Sequence, residues 1–473
     1  MLSAKILILL WLVNFAPPFA ACLLGERWNA PADFGFSFRG GQPLFGAHKT
    51  LRGLAAGILA GAVAGCILGF GLWVGLAVGI FSMGGDLFSS FLKRRLRFSC
   101  GKTTPGLDQV FEGSFPFVAL GPYYSLNAPT VIVLVAIFSV GAYAGSLLFN
   151  SFLLKKPFDA YPRPVLPDVR FKEIRSCHIT SAALRHLLNL ADAVYYSLLE
   201  AAFRITGLYE RGKRNALAIE VRKISFEFED LPPSFDGYAI LFFSDLHLDG
   251  LEGLDERIRL LLKDIDADLC ILGGDFRMKT YGSFSGALTQ LLGLIPEIRA
   301  KDGVLGILGN HDCPEIVIPL EKAGVAFLIN DARAVERGGW KIWIVGVDDP
   351  HYYQCDDLEQ AFEQTPPDGF TILAAHSNEI FHDASRFEPR LYLCGHSHGG
   401  QIQIPGFGPL FTHSSAPRSL CLGKWRYGAM QGYTTTGVGV SGAPVRFFSR
   451  GEMAVITLKK KSLIEPSTLR RGG

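Results

Sequence analysis

Long apolar stretches before residue 155 constrain the fold of this 473-residue chain more than any other feature. Four of them, residues 6–24, 53–70, 72–92 and 131–154, are long enough to span a bilayer as helices. A fifth and weaker stretch, residues 107–124, is interrupted by two acidic residues and two prolines. The mean hydropathy of +0.25 is high for a soluble protein because of this region. We therefore predict a multi-domain protein that begins with an all-α polytopic membrane domain over residues 1–154.

The lysines and arginines between these stretches predict which side of the membrane each loop faces. If the chain spans five times, two loops on one side contain nine lysines and arginines and the two opposite loops contain none. These residues are Arg27, Arg39, Lys49, Arg52, Lys93, Arg94, Arg95, Arg97 and Lys102. The positive-inside rule then places the C-terminal half on the cytoplasmic side of the inner membrane, whereas four spans would place it outside. We predict five spans.

The first apolar stretch has a second interpretation, as a signal peptide. The sequence "FAAC", which ends at Cys22, resembles a lipoprotein cleavage site. Phe19 fits such a site poorly, and three further strong apolar stretches follow. We therefore favour a membrane span.

Cysteine usage and net charge exclude two other classes of protein. The nine cysteines are scattered singly, with no CxxC pair and an odd count, which predicts reduced thiols on the cytosolic side of a membrane. The net charge of +2 gives no indication of nucleic-acid binding.

Charged residues within and beside the apolar stretches predict a ligand site in the membrane domain. Lys49 and Arg52 stand at the start of the second stretch, and Asp86 lies inside the third. Lys93 and Arg94 end the third stretch, and the acidic residues Asp108 and Glu112 follow. Acidic residues inside a span are costly and indicate function, here the binding of a divalent ion with a nucleotide triphosphate. The alternative is that they serve helix packing and flank the spans.

The motifs of this region resemble those of the CDP-archaeol synthase family, which is related to CDP-diacylglycerol synthases. The resemblance covers residues 1–153 and rests on "NFAPP", "PADFG", "FGAHKTLRG", "GGDLFSSFLKRRL" and "LDQ". It implies an enzyme that joins CTP to a lipid phosphate with Mg²⁺ and releases pyrophosphate. Lys49 and Arg52 would then contact the nucleotide phosphates, and Asp86 and Asp108 would bind Mg²⁺.

This chain departs from that family pattern at one position. Phe111 stands three residues after the aspartate of "LDQ", where the archaeal pattern has an acidic residue. Glu112 is one residue further on, which turns its side chain by about 100° around a helix. The domain is therefore either an active synthase or a module that holds substrate or anchors the chain.

Residues 155–234 predict a linker that contains one long helix. Residues 155–170 are rich in proline and charge, which is typical of a stiff linker. Residues 180–209 then show a helical pattern with a narrow polar stripe on an otherwise apolar surface. The stripe consists of Arg185, Asn189, Asp192, Tyr196, Glu200 and Arg204. So wide an apolar face predicts either a helix in the bilayer interface or one buried by the next domain.

Residues 235–460 alternate buried strand-like runs with helical patterns, which predicts an α/β domain. The runs are residues 238–245, 267–275, 304–312, 341–349, 370–377 and 391–398. Each ends in acidic, histidine or amide residues, and such residues past neighbouring strands converge on one site. Residues 461–473 form a basic tail.

Seven oxygen and imidazole donors at these strand ends predict a pair of metal ions. They are Asp245, His247, Asp275, Asn310, His376, His396 and His398. This donor set has no thiolate and favours Mn²⁺, Fe²⁺ or Zn²⁺, and seven donors are too many for one tetrahedral ion. We assign His351 and His382, in contrast, to packing or turns.

The motifs that contain these donors resemble those of the calcineurin-like metallophosphoesterases, in particular the small membrane-associated bacterial branch. The resemblance covers residues 235–460 and rests on "SDLHLD", "GNHD", "GVDDP", "GHSHGGQI" and "GVGVSGAPVRFF". It implies an αββα sandwich in which one ion is bound by Asp245, His247 and His398. The other ion would be bound by Asn310, His376 and His396, with Asp275 bridging the two.

The same resemblance implies roles for two residues outside the ligand set. His311 would bind no metal and would protonate the leaving oxygen or stabilise the transition state. Arg277 would either contact the substrate phosphate or lie on the surface. Two ions about 3.5–4 Å apart would activate water for attack on phosphorus and neutralise the charge of the phosphoryl oxygens.

The sequence as a whole predicts a membrane-bound hydrolase of a phosphodiester or pyrophosphate bond, acting on a phosphorylated, lipid-linked substrate. Two alternatives remain: a bifunctional enzyme whose main activity is CDP-lipid synthesis, or an inactive synthase-like domain that serves as an anchor. The partners are the lipid bilayer and this substrate, with no nucleic acid. The sequence determines neither the lipid, the metal nor the oligomeric state.

Overall fold

The structure, a computed structural model, divides into two compact units. It describes residues 1–461 except 26, 39–41, 47–48, 97–106, 156–162, 164–165, 180, 182, 185–186, 188 and 410. Unit 1 consists of Met1–Lys156 and Val165–Phe171, and unit 2 of Pro157–Pro164 and Lys172–Gly473. Several predicted features lie outside the described residues, namely Arg39, Arg97, Lys102, Arg185, the predicted helix start at residue 180, the side chain of Asp192 and the tail beyond residue 461.

Unit 1 is helical, as predicted. Its helices are α1 (Leu2–Leu24), α2 (Leu51–Ile67), α3 (Leu72–Arg95), α4 (Leu107–Ser114), α5 (Phe117–Tyr123) and α6 (Ala128–Leu153), and α7 (Pro167–Glu173) begins in this unit. A short hairpin joins β1 (Ser37–Phe38) to β2 (Gln42–Pro43). Among the described residues, α1, α3 and α6 are long and apolar enough to cross a membrane.

The other two predicted spans are shorter than expected. Helix α2 has 17 residues, and the weak fifth stretch is divided into α4 and α5, of eight and seven residues. Pro116 lies at that division because a proline interrupts the helical hydrogen-bond pattern. Among the described residues, three helices are thus long and apolar enough to span a membrane, and the count of five spans stays a prediction.

Glycines bring α2 and α3 into close contact. A Cβ atom on Gly61 would lie 2.5 Å from the carbonyl oxygen of Gly75, and one on Gly75 would lie 2.2 Å from that of Gly61. Only glycine allows so close an approach of two helix backbones, which is the packing mode of helices in lipid.

Unit 2 contains two six-stranded mixed sheets. The first has the order β14–β15–β11–β10–β9–β8 and the second has the order β3–β16–β4–β5–β6–β7. The strands are β3 (Glu220–Phe228), β4 (Ala239–Phe243), β5 (Leu269–Leu272), β6 (Val304–Gly306), β7 (Val325–Phe327), β8 (Asp331–Arg337), β9 (Trp340–Gly346), β10 (Thr371–Ala374), β11 (Leu391–Cys394), β14 (Gly423–Tyr427), β15 (Met430–Thr434) and β16 (Glu452–Lys460). A separate hairpin joins β12 (Gln403–Ile404) to β13 (Gly408–Pro409).

Both faces of the central strands are buried. In β4, Ile240 and Phe242 pack into the core between the sheets, and Leu241 and Phe243 pack against helices on the outer face. These strands read as continuous apolar runs because each face meets another layer. The outer layers contain α10 (Leu254–Leu262) and α11 (Ser285–Leu294) on one sheet and α13 (Leu358–Phe362) and α14 (Phe381–Ala384) on the other. Helix α12 (Val317–Lys322) follows β6. The predicted αββα sandwich is confirmed.

The helix predicted over residues 180–209 is shorter than expected. Helix α8 extends over Leu190–Ile205, and α9 follows over Tyr209–Ala216. Gly207 lies between them with a φ of +70°, a conformation that glycine adopts at no steric cost and that ends α8.

The prediction that all cysteines are reduced is wrong for two of them. Cys177, in a π-helical turn (Ile174–His178), forms a disulfide bond with Cys313, which directly follows the "GNHD" sequence. The two residues are 136 positions apart, so no spacing motif reveals their pairing. A disulfide is typical of oxidising compartments and opposes the predicted cytoplasmic placement of this unit.

Candidate metal centre

Parallel strands bring the predicted ligands to one edge of the sandwich. Asp245 and His247 follow β4, Asp275 follows β5, and Asn310 follows β6. In the other sheet His376 follows β10, and His396 and His398 follow β11. Strands β4 to β6 are mutually parallel, as are β9 to β11, so their carboxyl ends point the same way. All seven side chains are buried.

The first group of ligands consists of Asp245, His247 and His398, whose donor atoms lie within 4.8 Å of one another. The Nδ1 atom of His247 is 2.7 Å from the carbonyl oxygen of Arg277 and therefore donates to it. Its Nε2 lone pair then points to Nε2 of His398, at 3.2 Å, and that atom is 3.4 Å from Oδ1 of Asp245. A cation between these three atoms would satisfy all of them.

The second group consists of Asp275, His376 and His396. Nδ1 of His376 donates to the carbonyl oxygen of Gly273 at 2.8 Å, which leaves its Nε2 facing Oδ2 of Asp275 at 3.1 Å. Nε2 of His396 likewise donates to the carbonyl oxygen of His413, at 3.0 Å. Hydrogen bonds of this kind fix which imidazole nitrogen is available to a metal.

Two buried polar atoms test whether a metal fits this second group. Oδ1 of Asn310 is buried with no hydrogen-bond partner, and such an atom costs about 1–3 kcal/mol when it stays unsatisfied. Nε2 of His376 is buried against the carboxylate of Asp275, and imidazole and amide groups are both metal ligands by type. Burial opposes protonation of His376, but the carboxylates of Asp275 and Asp245 outweigh it and raise its pKa to about 10. The site therefore has an excess of negative charge, and the residues fit divalent metal ions.

Asp275 lies between the two groups. Its Oδ2 atom is 3.1 Å from Nε2 of His376 and 3.8 Å from Nε2 of His247, which belong to different groups. This carboxylate therefore lies within reach of both groups, and the bridging role implied by the family resemblance stays a prediction.

Most of the predicted ligands have a left-handed backbone conformation. Five of the seven have a positive φ, namely Asp245, His247, Asp275, His396 and His398. Non-glycine residues seldom adopt this conformation, and it accumulates at functional sites where the surrounding structure holds it. Two glycines make room beside them, since a Cβ atom on Gly395 would lie 2.3 Å from Oδ2 of Asp245, and one on Gly309 would lie 2.2 Å from Oδ1 of Asp275.

Asp312 holds two of the ligand loops together. Its carboxylate accepts hydrogen bonds from the backbone N–H groups of Asp275, Phe276 and Gly309, at 2.7, 2.9 and 2.8 Å. Burial raises the pKa of Asp312 to about 7. The last residue of the "GNHD" box thus supports the site from behind.

His311, the predicted catalytic residue, lines the cavity in front of the ligands. Its Nε2 atom is 3.8 Å from Oδ2 of Asp275, and its Nδ1 atom is buried with no hydrogen-bond partner. Burial lowers the pKa of His311 to about 3, so the imidazole is neutral. With Asp275 and His247 it forms a third group of possible ligands, so geometry alone does not separate a catalytic role from a metal-binding one.

The surface position expected as one alternative for Arg277 is wrong, and its contact with substrate phosphate stays an untested prediction. Its side chain is buried, with 1% exposed, and does not line the cavity. The guanidinium donates to the carbonyl oxygens of His311, Thr280 and Gly282. Arg277 therefore stabilises the loop that carries His311, because buried carbonyl oxygens need a donor.

A cavity of about 520 Å³ opens in front of the ligands, and one of its walls is apolar. Tyr196, Leu199 and Phe203 of α8 contribute to the apolar part of the lining, and the polar part includes Asp275, Asn310, His311, His396 and His398. The sequence identified α8 as amphipathic but did not connect it with the metal site, because its packing partner is far away in sequence.

His351 is a cavity residue that sequence reasoning assigned to packing or a turn. Its ring lies 4.1 Å from that of His396, measured between centroids, and its Nδ1 atom is 2.8 Å from Oε2 of Glu379. Burial acts against protonation, but the hydrogen bond and charge of Glu379 raise the pKa of His351. His351 directly follows "GVDDP" at the end of a predicted strand, and this position was the sequence feature that could have indicated a place in the site.

Unit 1 contains a second cavity, of about 370 Å³, at the predicted nucleotide site. Lys49, Arg52 and Asp86 line it, and Nζ of Lys49 is 2.6 Å from Oδ1 of Asp86. Nζ of Lys93 is 2.7 Å from Oδ1 of Asp108. Each of these carboxylates is thus paired with a lysine.

Two further residues of that region are buried. Arg94 ends α3, and Glu112 lies on α4, where its carboxylate accepts a hydrogen bond from Asn14 and is within electrostatic range of Asp86 and Asp108. Glu112 therefore faces the charged group despite its position one residue after Phe111.

An αββα sandwich with a buried Asp–His cluster across the carboxyl ends of both sheets defines the class of metal-dependent phosphoester hydrolases. The chain belongs to the calcineurin-like phosphoesterase family, whose model matches residues 238–400. The CDP-archaeol synthase model matches residues 2–72, in the helical part of the chain.

Three known proteins illustrate these similarities. Phosphodiesterase YaeI of Escherichia coli is 30% identical over 217 residues, which are 43% of this chain and 75% of that protein. The uncharacterized metallophosphoesterase YkuE of Bacillus subtilis is 28% identical over 251 residues, 51% of this chain and 86% of that protein. The solved structure described as an intramembrane enzyme for archaeal membrane lipids biosynthesis has 25% identity and a TM-score of 0.26, and the match covers 30% of this chain and 92% of that one.

Proposed function

We propose that this metallophosphoesterase hydrolyses a phosphodiester or pyrophosphate bond in a lipid-linked substrate, using two divalent metal ions. Asp245, His247 and His398 would hold one ion, Asn310, His376 and His396 would hold the other, and Asp275 would be shared. When bound, the ions supply an activated water and neutralise charge on the phosphoryl oxygens. The donor types accept Mn²⁺, Fe²⁺ or Zn²⁺.

The cavity wall formed by α8 is the observation that carries the lipid-linked part of the proposal. Tyr196, Leu199 and Phe203 line the same cavity as the ligand cluster. A phosphate group alone needs only polar contacts, whereas an apolar wall beside the metal site binds an apolar part of the substrate. The substrate would therefore place its phosphorus at the metals and its lipid part along α8.

Three residues outside the ligand set, His311, Asp312 and Arg277, have further roles in this proposal. His311 is placed to contact the leaving oxygen or a phosphoryl oxygen through its imidazole, because it lines the cavity beside Asp275. Asp312 and Arg277 hold the loops that carry Asp275 and His311, so the ligands are pre-organised before substrate arrives.

A pair of soluble substrates tests the lipid-linked proposal. Methyl p-nitrophenyl phosphate and the p-nitrophenyl phosphodiester of dihexanoylglycerol share a leaving group and differ in the second alcohol on phosphorus, which is methanol in one and a diacylglycerol with two short acyl chains in the other. We expect the full chain with Mn²⁺ to prefer the second by about tenfold in kcat/KM, because burial of a few methylene groups is worth that much. Phe203→Ala should lose much of this preference. Equal kcat/KM for both substrates would contradict the proposal.

The charged cavity of unit 1 supports a second candidate function, transfer of a cytidylyl group from CTP to a lipid phosphate. Lys49 and Arg52 line this cavity with Asp86, so cationic and anionic side chains are available to phosphates and Mg²⁺. Purified full chain offered CTP, Mg²⁺ and lipid phosphates should form CDP-lipid. A folded protein that forms none would leave unit 1 as an anchor or substrate-holding module.

The chain is a multi-pass membrane protein, and we propose that unit 2 faces the cytoplasm from the inner membrane. Five spans place unit 2 on the same side as both basic loops, whereas three spans would place the basic residues that end α3, Lys93, Arg94 and Arg95, on the opposite side, so this placement depends on the predicted count of five. The disulfide between Cys177 and Cys313 is the observation that opposes this side. A C-terminal green fluorescent protein fusion should fluoresce, since that reporter matures in the cytoplasm, and a dark fusion at full expression would place unit 2 outside.

A further inference from the structure

Helix α8 has two apolar faces that point in nearly opposite directions. Leu199 and Phe203 line the metal cavity. Leu190, Leu198 and Ile205 are exposed instead. At 100° per residue these three side chains, together with Val194, lie within an arc of about 80° on the side away from the cavity.

The outward row is long and strongly apolar. It consists of Leu187, just before α8, and Leu190, Val194, Leu198 and Ile205. Leu198 is 66% exposed and Ile205 is 86% exposed, and the row contains no charged residue. Contiguous apolar surface of this kind marks a site of contact with another apolar body.

A second exposed apolar segment lies beside the same cavity. The hairpin of β12 and β13 has Phe407 at its tip, which is 85% exposed, and Phe411 follows it and lines the cavity. We call Leu187, Leu190, Val194, Leu198 and Ile205 together the apolar rim, and Phe407 and Phe411 are a separate exposed apolar segment. Exposed Arg211 and Arg214 follow α8 directly in sequence and suit anionic lipid head groups.

We propose that the apolar rim docks on the surface of a lipid bilayer, so that the metal cavity takes its substrate directly from the membrane. The proposal rests on the proposed function and adds where the substrate comes from. The chain is already located at a bilayer under this proposal, because α6 is long and apolar enough to span one. Only residues 154–189 separate the end of α6 from α8, so α8 stays within reach of a membrane surface.

Direct measurement of docking uses the full chain in phosphatidylcholine vesicles. The variants Leu198→Cys and Leu260→Cys are each labelled with the fluorophore NBD. Both variants retain the native cysteines, so any label on those contributes the same background signal to each. Leu260, on α10, is a matched control because it is also an exposed leucine, at 54%, and lies outside the rim. We expect lipids with a doxyl group near the head group to quench the label at position 198 beyond the background, but not the label at position 260.

Activity measurements then show whether docking delivers substrate. Bis-p-nitrophenyl phosphate is a soluble probe, and phosphatidyl-p-nitrophenol is a probe that resides in the bilayer. In each, water adds to phosphorus and p-nitrophenol leaves, giving p-nitrophenyl phosphate or phosphatidic acid. We expect Leu198→Glu to slow hydrolysis of the bilayer probe by about tenfold or more while hydrolysis of the soluble probe is unchanged. Leu260→Glu should change neither.

Each result separates the docking proposal from the proposed function. Equal quenching of the labels at positions 198 and 260 would overturn docking. A label at position 198 that is shielded from water but is not quenched by the lipids would also overturn it, because a second copy of the chain would then cover this face. Undiminished hydrolysis of the bilayer probe by Leu198→Glu would overturn substrate delivery. Quenching at position 198 in a protein that hydrolyses neither probe would support docking and reject the proposed function.

Discussion

Several of the predicted ligands at the candidate metal centre are held by specific partners. His247 and His376 each donate one ring nitrogen to a backbone carbonyl oxygen, which leaves the other nitrogen available to a metal. Gly309 and Gly395 leave space that any side chain would fill. The chemistry of the site therefore depends as much on these neighbours as on the ligands.

The role of His311 is tested by removing its imidazole. We expect His311→Ala to retain both metal ions and to lose phosphodiesterase activity by about 10²–10⁴-fold, because the imidazole assists proton transfer or stabilises the transition state. Metal content by inductively coupled plasma mass spectrometry and kcat on bis-p-nitrophenyl phosphate check this. Loss of a metal ion from this variant would show that His311 is a ligand instead.

At the scale of elements, a buried ion-pair network joins the linker to the loop that follows β9. Arg163 donates to Asp348 from Nε and Nη2, each at 2.6 Å, and its Nη1 is 3.1 Å from Oε1 of Glu173. The guanidinium also lies over the ring of Tyr353, at 4.3 Å. The sequence showed the linker as proline-rich and charged, but it gave no sign that one of its arginines is buried.

Removal of that arginine should destabilise unit 2 strongly. Arg163→Ala leaves buried carboxylates without their guanidinium partner, and such a loss costs about 3–5 kcal/mol. We expect the midpoint of thermal unfolding of the detergent-solubilised chain, followed by fluorescence, to fall by several degrees. Arg386→Ala is the control, since its pair with Asp383 is exposed, and it should shift the midpoint little. Equal shifts in the two variants would show that the buried network contributes nothing special.

Asp268, just before β5, gives a prediction about pH. Burial acts to raise its pKa, but the backbone N–H of Ala239 and the cations of Lys301 and Arg337 outweigh it, so the pKa lies below the ordinary value of 3.8. A lowered folded-state pKa contributes stability above pH 3.8 that is lost as the pH falls through the folded value. Asp268→Asn should therefore lower the unfolding midpoint at pH 7, and the difference from wild type should shrink below about pH 3.8. A difference that stays constant with pH would contradict this charge effect.

For the whole molecule, the sequence predicted those parts that repeat a local pattern. Apolar runs located all six predicted strands of unit 2, because central strands buried on both faces consist of continuous apolar residues. The order of the polar boxes after those runs placed seven donors at one edge. Helix α1 was equally readable from its apolar length.

Features that depend on contacts between distant segments could not be predicted from the sequence. The disulfide of Cys177 with Cys313 and the wall that α8 forms beside the metals both join segments far apart in the chain. Arg277 was misjudged because its position after Asp275 does not reveal the carbonyl oxygens that surround it. His351 was missed because one histidine after a strand is weak evidence until its neighbours are known.

Metal stoichiometry, measured together with hydrolysis, tests the central claim most directly. Full chain stripped with a chelator and reloaded with Mn²⁺ should bind about two ions and regain activity on bis-p-nitrophenyl phosphate. His376→Ala should bind about one ion fewer and lose activity, whereas His382→Ala, at an exposed histidine outside the site, should match wild type. Undiminished hydrolysis by the stripped protein, or two ions retained by His376→Ala, would contradict the account.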